Sequence, residues 1–241
     1  MQTSRTRPVS ALLGLAAALL SLASAPSALA QTHVYTLNNT LADSNGGPSL
    51  VPNGSTGTGA LSASGYTFTA NQGLGLSNAL TDPGNYSISL TFSLTDLLGY
   101  KKLIDFKNLV SDNGLYLLNG QLDYYPTALT ATTTVAANQS VTVNLTRNSA
   151  TQLVTGSVNG VQQFSFTDTT NDAVFSTANG QINFFQDDNA TGQNEAGPGT
   201  VTRITITGAP VPEASATVSL GLLLALGMGG LVVAAKRKKV A

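Results

Sequence analysis

Apolar and polar residues alternate one by one along several short stretches of the chain. The clearest stretch is YSISLTFSL, residues 86–94, in which every second side chain is aliphatic or aromatic and the others are Ser or Thr. A period of two predicts a β-strand with one buried and one solvent-facing side. The segments SVTVNLTR (140–147) and TVTRITITG (200–208) repeat the pattern. No comparable helical period occurs between residues 31 and 209.

Asn-Gly dipeptides separate pairs of these strand-like stretches. Asn119 and Gly120 lie in LYLLNGQLDYY, and Asn159 and Gly160 lie in GSVNGVQQFSF. Both residue types tolerate the positive φ of a type I′ turn, so each dipeptide predicts a β-hairpin. The pattern as a whole predicts about ten to twelve short strands, and this number favours an antiparallel sandwich or jelly roll. Residues 43–59 are rich in Gly and Ser and predict a long loop.

Residues 31–209 are predicted to form one β-sandwich domain. Its charge and cysteine content exclude several classes of partner and chemistry. It carries five basic and eleven acidic side chains, a net charge of −6. That balance argues against nucleic acid or an anionic membrane surface as a partner, because both need clustered Lys and Arg. The chain has no cysteine, which excludes disulfides, a thiolate nucleophile and sulfur-ligated metals.

The first thirty residues predict a secretory signal peptide, with Gln31 as the first mature residue. Its parts are Arg5 and Arg7, an apolar core over residues 11–22, and the small residues Ala28 and Ala30 before the cleavage point. This layout is typical of a segment removed by signal peptidase. An uncleaved anchor helix is the alternative.

The C-terminal segment predicts a membrane-spanning helix. Residues 216–235 form an apolar run of twenty residues, which as a helix measures about 30 Å, the thickness of a hydrocarbon core. A basic tail, residues 236–241, follows this run. Its cations are expected to stay in the cytoplasm and leave the domain outside; they are Lys236, Arg237, Lys238 and Lys239.

The order of elements in the body resembles the concanavalin A-like, laminin G-like jelly roll. The stretches that carry the resemblance are 86–94, 101–108, 113–125, 138–166 and 182–206. The resemblance implies an all-β antiparallel sandwich. It also implies calcium at a loop rim, although the family's ligands do not map onto this chain residue by residue.

The tail resembles the PEP-CTERM sorting signal of Gram-negative bacteria, which is processed by exosortase. The matching parts are a Pro-Glu motif in the linker 210–215, one apolar helix and a terminal basic cluster; the motif residues are Val211, Pro212 and Glu213. Ala214 stands where the family has its second proline. The resemblance implies an inner-membrane intermediate, cleavage near Pro212 and release to the envelope or beyond. A plain anchor that is never cut is the alternative.

One acidic loop predicts a metal site. Asp187, Asp188, Asn189 and Glu195 fall within nine residues, and hard oxygen donors on a flexible loop suit Ca²⁺. A solvated acidic turn is the alternative. Elsewhere in the chain, Tyr124 and Tyr125 are predicted to point to opposite faces of a strand. One ring then faces the core, and the other either stacks on a sugar or packs at the sheet edge.

Catalysis is not expected. Glucan-cleaving enzymes of this fold class need two carboxylates that flank the scissile bond, but the only glutamates are Glu195 and Glu213, and the latter is in the sorting tail. The single histidine, His33, is expected to be solvated or to contact a strand edge. The sequence therefore predicts an exported, non-enzymatic module for matrix formation, adhesion or binding of extracellular polysaccharide. A carbohydrate-active enzyme and a purely structural envelope component are the alternatives.

Overall fold

The computed structural model describes residues 30–127, 131–176 and 180–208. All regular secondary structure in these ranges is β, as predicted, although the fourteen strands exceed the predicted number. The strands are β1 (Thr32–Tyr35), β2 (Val51–Gly54), β3 (Ala60–Ser62), β4 (Gly65–Phe68), β5 (Gln72–Ser77), β6 (Tyr86–Leu94), β7 (Tyr100–Asp105), β8 (Gly114–Leu118), β9 (Gln121–Tyr125), β10 (Val141–Arg147), β11 (Leu153–Val158), β12 (Val161–Thr167), β13 (Gln181–Phe184) and β14 (Gly199–Gly208).

The predicted processing and membrane segments are not among the described residues, apart from Ala30 at the end of the signal peptide. The linker motif, the apolar run 216–235 and the basic tail all lie beyond residue 208. Within the described ranges, no helix is long and apolar enough to cross a membrane.

The strands form two antiparallel sheets. The eight-stranded sheet has the order β12-β11-β10-β6-β14-β4-β3, with β1 also paired to β14. The six-stranded sheet has the order β2-β5-β13-β7-β8-β9. Apolar side chains from both sheets form one buried core, so the predicted antiparallel β-sandwich is confirmed.

Strand β6 shows why the alternating pattern specifies this core. It pairs with β10 on one side and β14 on the other, and Ile88 lies opposite Leu145 and Ile206. All three side chains are fully buried. The remaining apolar positions of the strand are buried too, whereas Ser87 is exposed. The predicted inward face is therefore correct along the whole strand.

Both predicted hairpins are present. Asn119 and Gly120 connect β8 to β9 with φ values of 50° and 83°, and Asn159 and Gly160 connect β11 to β12 with φ values of 49° and 80°. Positive φ at both central positions is the feature that Asn-Gly supplies.

The long loop predicted for residues 43–59 is wrong in part, because it contains strand β2. This strand pairs with β5 at the edge of the six-stranded sheet. Pro52 is compatible with that position, since an edge strand leaves one row of N–H groups unpaired. The sequence pattern did not predict this strand because Pro, Asn and Gly are typical of turns.

His33 is buried, not solvated. It belongs to β1, and 1% of its surface is exposed. Its Nδ1 lies 2.8 Å from Asp43 Oδ2, and its Nε2 lies 3.1 Å from the carbonyl oxygen of Ala79. Burial raises the pKa of Asp43, but hydrogen bonds from backbone N–H groups and from His33 outweigh it and lower that pKa to about 2. The contact between His33 and Asp43 therefore links the segment after β1 to the eight-stranded sheet.

A polar layer covers the outer face of the six-stranded sheet. Lys102 in β7 lies opposite Tyr116 in β8, which lies opposite Asp123 in β9, so the three share the face that turns away from the core. The connection between β13 and β14, residues 185–198, packs over this face. Its backbone joins β7 directly, since Lys102 N donates to the Glu195 carbonyl oxygen at 2.7 Å.

Candidate functional site

Four carboxylates surround the ammonium group of Lys102. Asp188 Oδ2 accepts a direct hydrogen bond from Nζ. Oxygens of Asp187, Asp105 and Asp112 lie 3.6, 3.7 and 3.9 Å from the same nitrogen. The side chains of Lys102 and of all these aspartates except Asp112 have no exposed surface. A buried ammonium thus neutralises part of a buried acidic cluster.

The same aspartates order the covering loop. Asp187 Oδ2 accepts hydrogen bonds from Thr191 Oγ1 and from the backbone N–H of Glu195, both at 2.8 Å. Asp188 Oδ1 accepts from the backbone N–H of Ala190 at 2.6 Å. Each carboxylate therefore directs one oxygen to the loop and the other to Lys102, which couples the loop conformation to the ammonium.

The structure brings together only some of the four predicted calcium ligands. One carboxylate oxygen each from Asp112, Asp187 and Asp188 lies within 4.8 Å of the other two, an arrangement that could hold a metal ion. Asn189 is exposed and donates through Nδ2 to the Leu109 carbonyl oxygen at 3.2 Å. Glu195 contributes its backbone to the loop, while its carboxylate lines a neighbouring pocket.

That pocket has a volume of about 160 Å³ and is lined by Tyr100, Asp112, Tyr116, Tyr125 and Glu195. Tyr116 is buried and donates to Asp112 Oδ1 at 2.5 Å. Tyr100 meets it edge to face, with ring centroids 5.5 Å apart. Tyr125 is 40% exposed. Its neighbour Tyr124 is fully buried in the core, so the predicted opposite orientation of the two rings is confirmed.

Glu195 supplies an unpaired acid to this pocket. Among the described residues, its carboxylate has no hydrogen-bond or ion-pair partner. The pKa of Glu195 is raised to about 7, mainly by burial and then by the negative charges of Asp112 and Asp187. Burial also raises the pKa of Asp112. The pocket therefore joins two carboxylates whose ionised forms the surroundings disfavour.

We expect Glu195→Gln to stabilise the protein above pH 7 and to have little effect at pH 5. The native pKa of about 7 exceeds the ordinary value of 4.5, so between these values the folded state binds more protons than the unfolded state. Stability then falls as pH rises through this window, and glutamine removes that loss. Melting temperatures at pH 5, 6, 7 and 8 test this. A shift that is the same at every pH would contradict it.

A larger cavity near Lys107 lacks the carboxylates that line the tyrosine pocket. Its volume is about 570 Å³, and no carboxylate is among its lining residues. Lys107 Nζ already donates to the carbonyl oxygens of Asn171 and Val174, at 2.9 and 2.8 Å. The smaller pocket is the better candidate because it combines the partly exposed Tyr125 ring with the unpaired carboxylate of Glu195.

Comparisons with known proteins identify the fold only. No protein-family model matches the chain, and no curated protein matches it. Domain 4 of AbnA, a GH43 extracellular arabinanase from Geobacillus stearothermophilus solved with arabinotriose, is 18% identical with a TM-score of 0.57, over 77% of this chain and 95% of that one. The Crh5 transglycosylase in complex with NAG is 13% identical with a TM-score of 0.50, and the match covers 76% of this chain and 86% of that one. A Trypanosoma rangeli sialidase is 14% identical with a TM-score of 0.52, over 75% of this chain but 30% of its own. At these identities the likeness shows a shared β-sandwich architecture.

Proposed function

We propose that the domain is a non-enzymatic carbohydrate-binding module and that one sugar ring binds in the pocket of Tyr100, Asp112, Tyr116, Tyr125 and Glu195. The observation that carries this proposal is the partly exposed Tyr125 ring beside two carboxylates. An aromatic face packs against the C–H surface of a sugar, and carboxylates accept hydrogen bonds from its hydroxyls. The pocket is smaller than the roughly 300 Å³ at which sites for drug-sized ligands begin, which suits a single ring.

Two of the similar folds lend support. The AbnA domain was solved with arabinotriose and the Crh5 enzyme with NAG, so sandwiches of this shape do accommodate sugars. Those ligands belong to those proteins, and the sugar bound here follows from this pocket's own side chains.

A glycan array tests the proposal. We expect the full chain to bind at least one class of oligosaccharide and Tyr125→Ala to abolish most of that signal. The matched control is Val161→Ala, which shortens another exposed side chain on β12 of the opposite sheet. Loss of binding in the control variant, or no loss in Tyr125→Ala, would contradict the proposed pocket.

Glycoside hydrolysis is a second candidate, since Asp112 and Glu195 place a carboxylate pair in one pocket. Binding is favoured because the Asp112 carboxylate already accepts a hydrogen bond from the Tyr116 hydroxyl and lies 3.9 Å from Lys102 Nζ. Release of reducing ends from a polysaccharide that the array identifies, abolished by Glu195→Gln, would instead establish an enzyme.

Calcium is the cation that we propose for the cluster of Asp112, Asp187 and Asp188. Hard carboxylate oxygens suit it, but it must compete with the Lys102 ammonium, so binding is expected only at millimolar concentration. The melting temperature should rise when Ca²⁺ is added, fall with chelator, and not respond in an Asp112→Asn, Asp187→Asn double variant. Equal melts with Ca²⁺ and with chelator would leave Lys102 as the sole counter-ion.

We also propose that the protein is exported and sorted by an exosortase-type enzyme. The Pro212-Glu213 motif, the apolar run and the basic cluster support this. The extracellular form from the native host is then expected to lack the residues beyond about Pro212, as well as the signal peptide. Intact-mass measurement tests both cuts. A mature form that still ends at Ala241 would leave a simple membrane anchor.

A further inference from the structure

The binding pocket has more negative than positive charge around it. Asp112 and Glu195 line it, and Asp187 and Asp188 lie close enough to act on Glu195 electrostatically. In the described part of the chain, Lys102 is the only cation within 4.0 Å of any of these carboxylates. It has no exposed side-chain surface, so it cannot reach a ligand in the pocket.

Several carboxylate oxygens in this region lack a hydrogen-bond donor, among them oxygens of Asp187 and Glu195. Asp187 Oδ1 is buried with no hydrogen-bond partner and lies 3.6 Å from Lys102 Nζ. The Glu195 carboxylate lines the pocket and has no partner among the residues that the structure describes. A buried or half-buried acceptor without a donor is unfavourable. Asp187 has no exposed side-chain surface, so of these acceptors a ligand in the pocket reaches Glu195. A ligand that brings a donor with positive charge would supply the missing partner of Glu195 and offset the excess of negative charge.

The tyrosines favour the same kind of ligand. Tyr100, Tyr116 and Tyr125 provide the aromatic part of the wall, and the faces of such rings attract cations. The protein already shows this contact, since Lys102 Nζ lies 4.9 Å from the centre of the Tyr116 ring. Aromatic rings combined with carboxylates are a suitable lining for an ammonium group.

We infer that the pocket selects a protonated amino sugar, as in a polysaccharide with free amines, over neutral and acidic sugars. This inference rests on the proposed function and specifies its ligand class. The ammonium would pair with Glu195 and lie against the tyrosines, while the pyranose ring packs on Tyr125. A uronate or another acidic sugar would be repelled by Asp112 and Glu195.

The test compares oligosaccharides that share a backbone and differ in charge. The full chain, in mild detergent with EDTA to remove metal ions, is titrated with a β-1,4-glucosamine oligomer, with its N-acetylated counterpart and with an oligogalacturonate. We expect the amine form to bind roughly tenfold or more tightly than the acetylated form, and no binding of the acidic one. Glu195→Gln should remove most of this preference. That variant is expected to fold, because it removes a disfavoured charge.

A control separates the pocket from the overall acidity of the domain. Asp82→Asn also removes one negative charge, but Asp82 lies in the turn before β6 and does not line the pocket. It should keep the full preference for the amine form. Equal loss in both variants, or equal affinity for amine and acetylated oligomers, would overturn the amino-sugar inference while leaving carbohydrate binding intact. Failure of the wild-type protein to bind any sugar would overturn the proposed function itself.

Discussion

Lys102→Met is expected to lower the free energy of unfolding by about 3–5 kcal/mol, because it leaves the buried carboxylates of Asp105, Asp187 and Asp188 without their ammonium. Methionine keeps most of the side-chain volume, so the loss reports the charge more than the packing. Domains of ordinary stability have about 5–15 kcal/mol in total, and a loss of this size places the variant close to unfolding at physiological temperature. Urea denaturation at pH 7 measures it.

Lys101→Met is the matched control. Lys101 is the preceding residue and pairs at 2.9 Å with Asp96, whose side chain is 51% exposed. Partly exposed pairs contribute about 0–1 kcal/mol, so this variant should remain near wild-type stability.

The pH dependence of Lys102→Met gives a second readout. Burial raises the pKa of Asp105, and the charge of Lys102 opposes that rise. Without the ammonium, the folded state is therefore expected to take up protons at Asp105 as pH falls. The loss of stability should therefore be largest above pH 7 and shrink toward pH 5. An unchanged stability at pH 7 would mean that the cluster does not depend on Lys102.

Ile88→Asp is expected to unfold the domain, with a loss above about 4 kcal/mol, since it places a carboxylate among fully buried apolar side chains. Ile88 lies in the centre of the eight-stranded sheet, between Leu145 and Ile206. Ser87→Asp tests the opposite face of the same strand. Ser87 is exposed and lies opposite Thr146 and Thr207, so that change should stay within about 0.5 kcal/mol. Similar thermal melts for both variants would contradict the assignment of the faces.

The fold was predictable where local chemistry alone determines structure. The alternation from Tyr86 to Leu94 identified a strand and its buried face, and Asn-Gly identified two hairpins. Strand β2 was not predicted because Pro52, Asn53 and Gly54 are residue types typical of turns. They form a strand here because they pair with β5. Pairing across the chain cannot be seen in a window of neighbouring residues.

The site was predictable only in fragments. Local patterns identified the acidic loop and predicted that one of Tyr124 and Tyr125 faces outward, and the structure shows that it is Tyr125. The partners of the acidic loop, Lys102 and Asp112, come from β7 and from the turn before β8, about 75 or more residues before Asp187 in sequence. Buried Lys102 neutralises part of the charge of the loop carboxylates Asp187 and Asp188, and sequence spacing gave no sign of that contact. The carboxylate pair Asp112 and Glu195 was missed for the same reason.

A crystal structure of the protein grown with the oligosaccharide that binds it most tightly would locate the sugar. We expect a sugar ring packed on Tyr125 and Tyr100, with a polar group of that sugar within hydrogen-bond distance of the Glu195 carboxylate. A sugar bound on the eight-stranded sheet or in the cavity near Lys107, with the tyrosine pocket unoccupied, would contradict it.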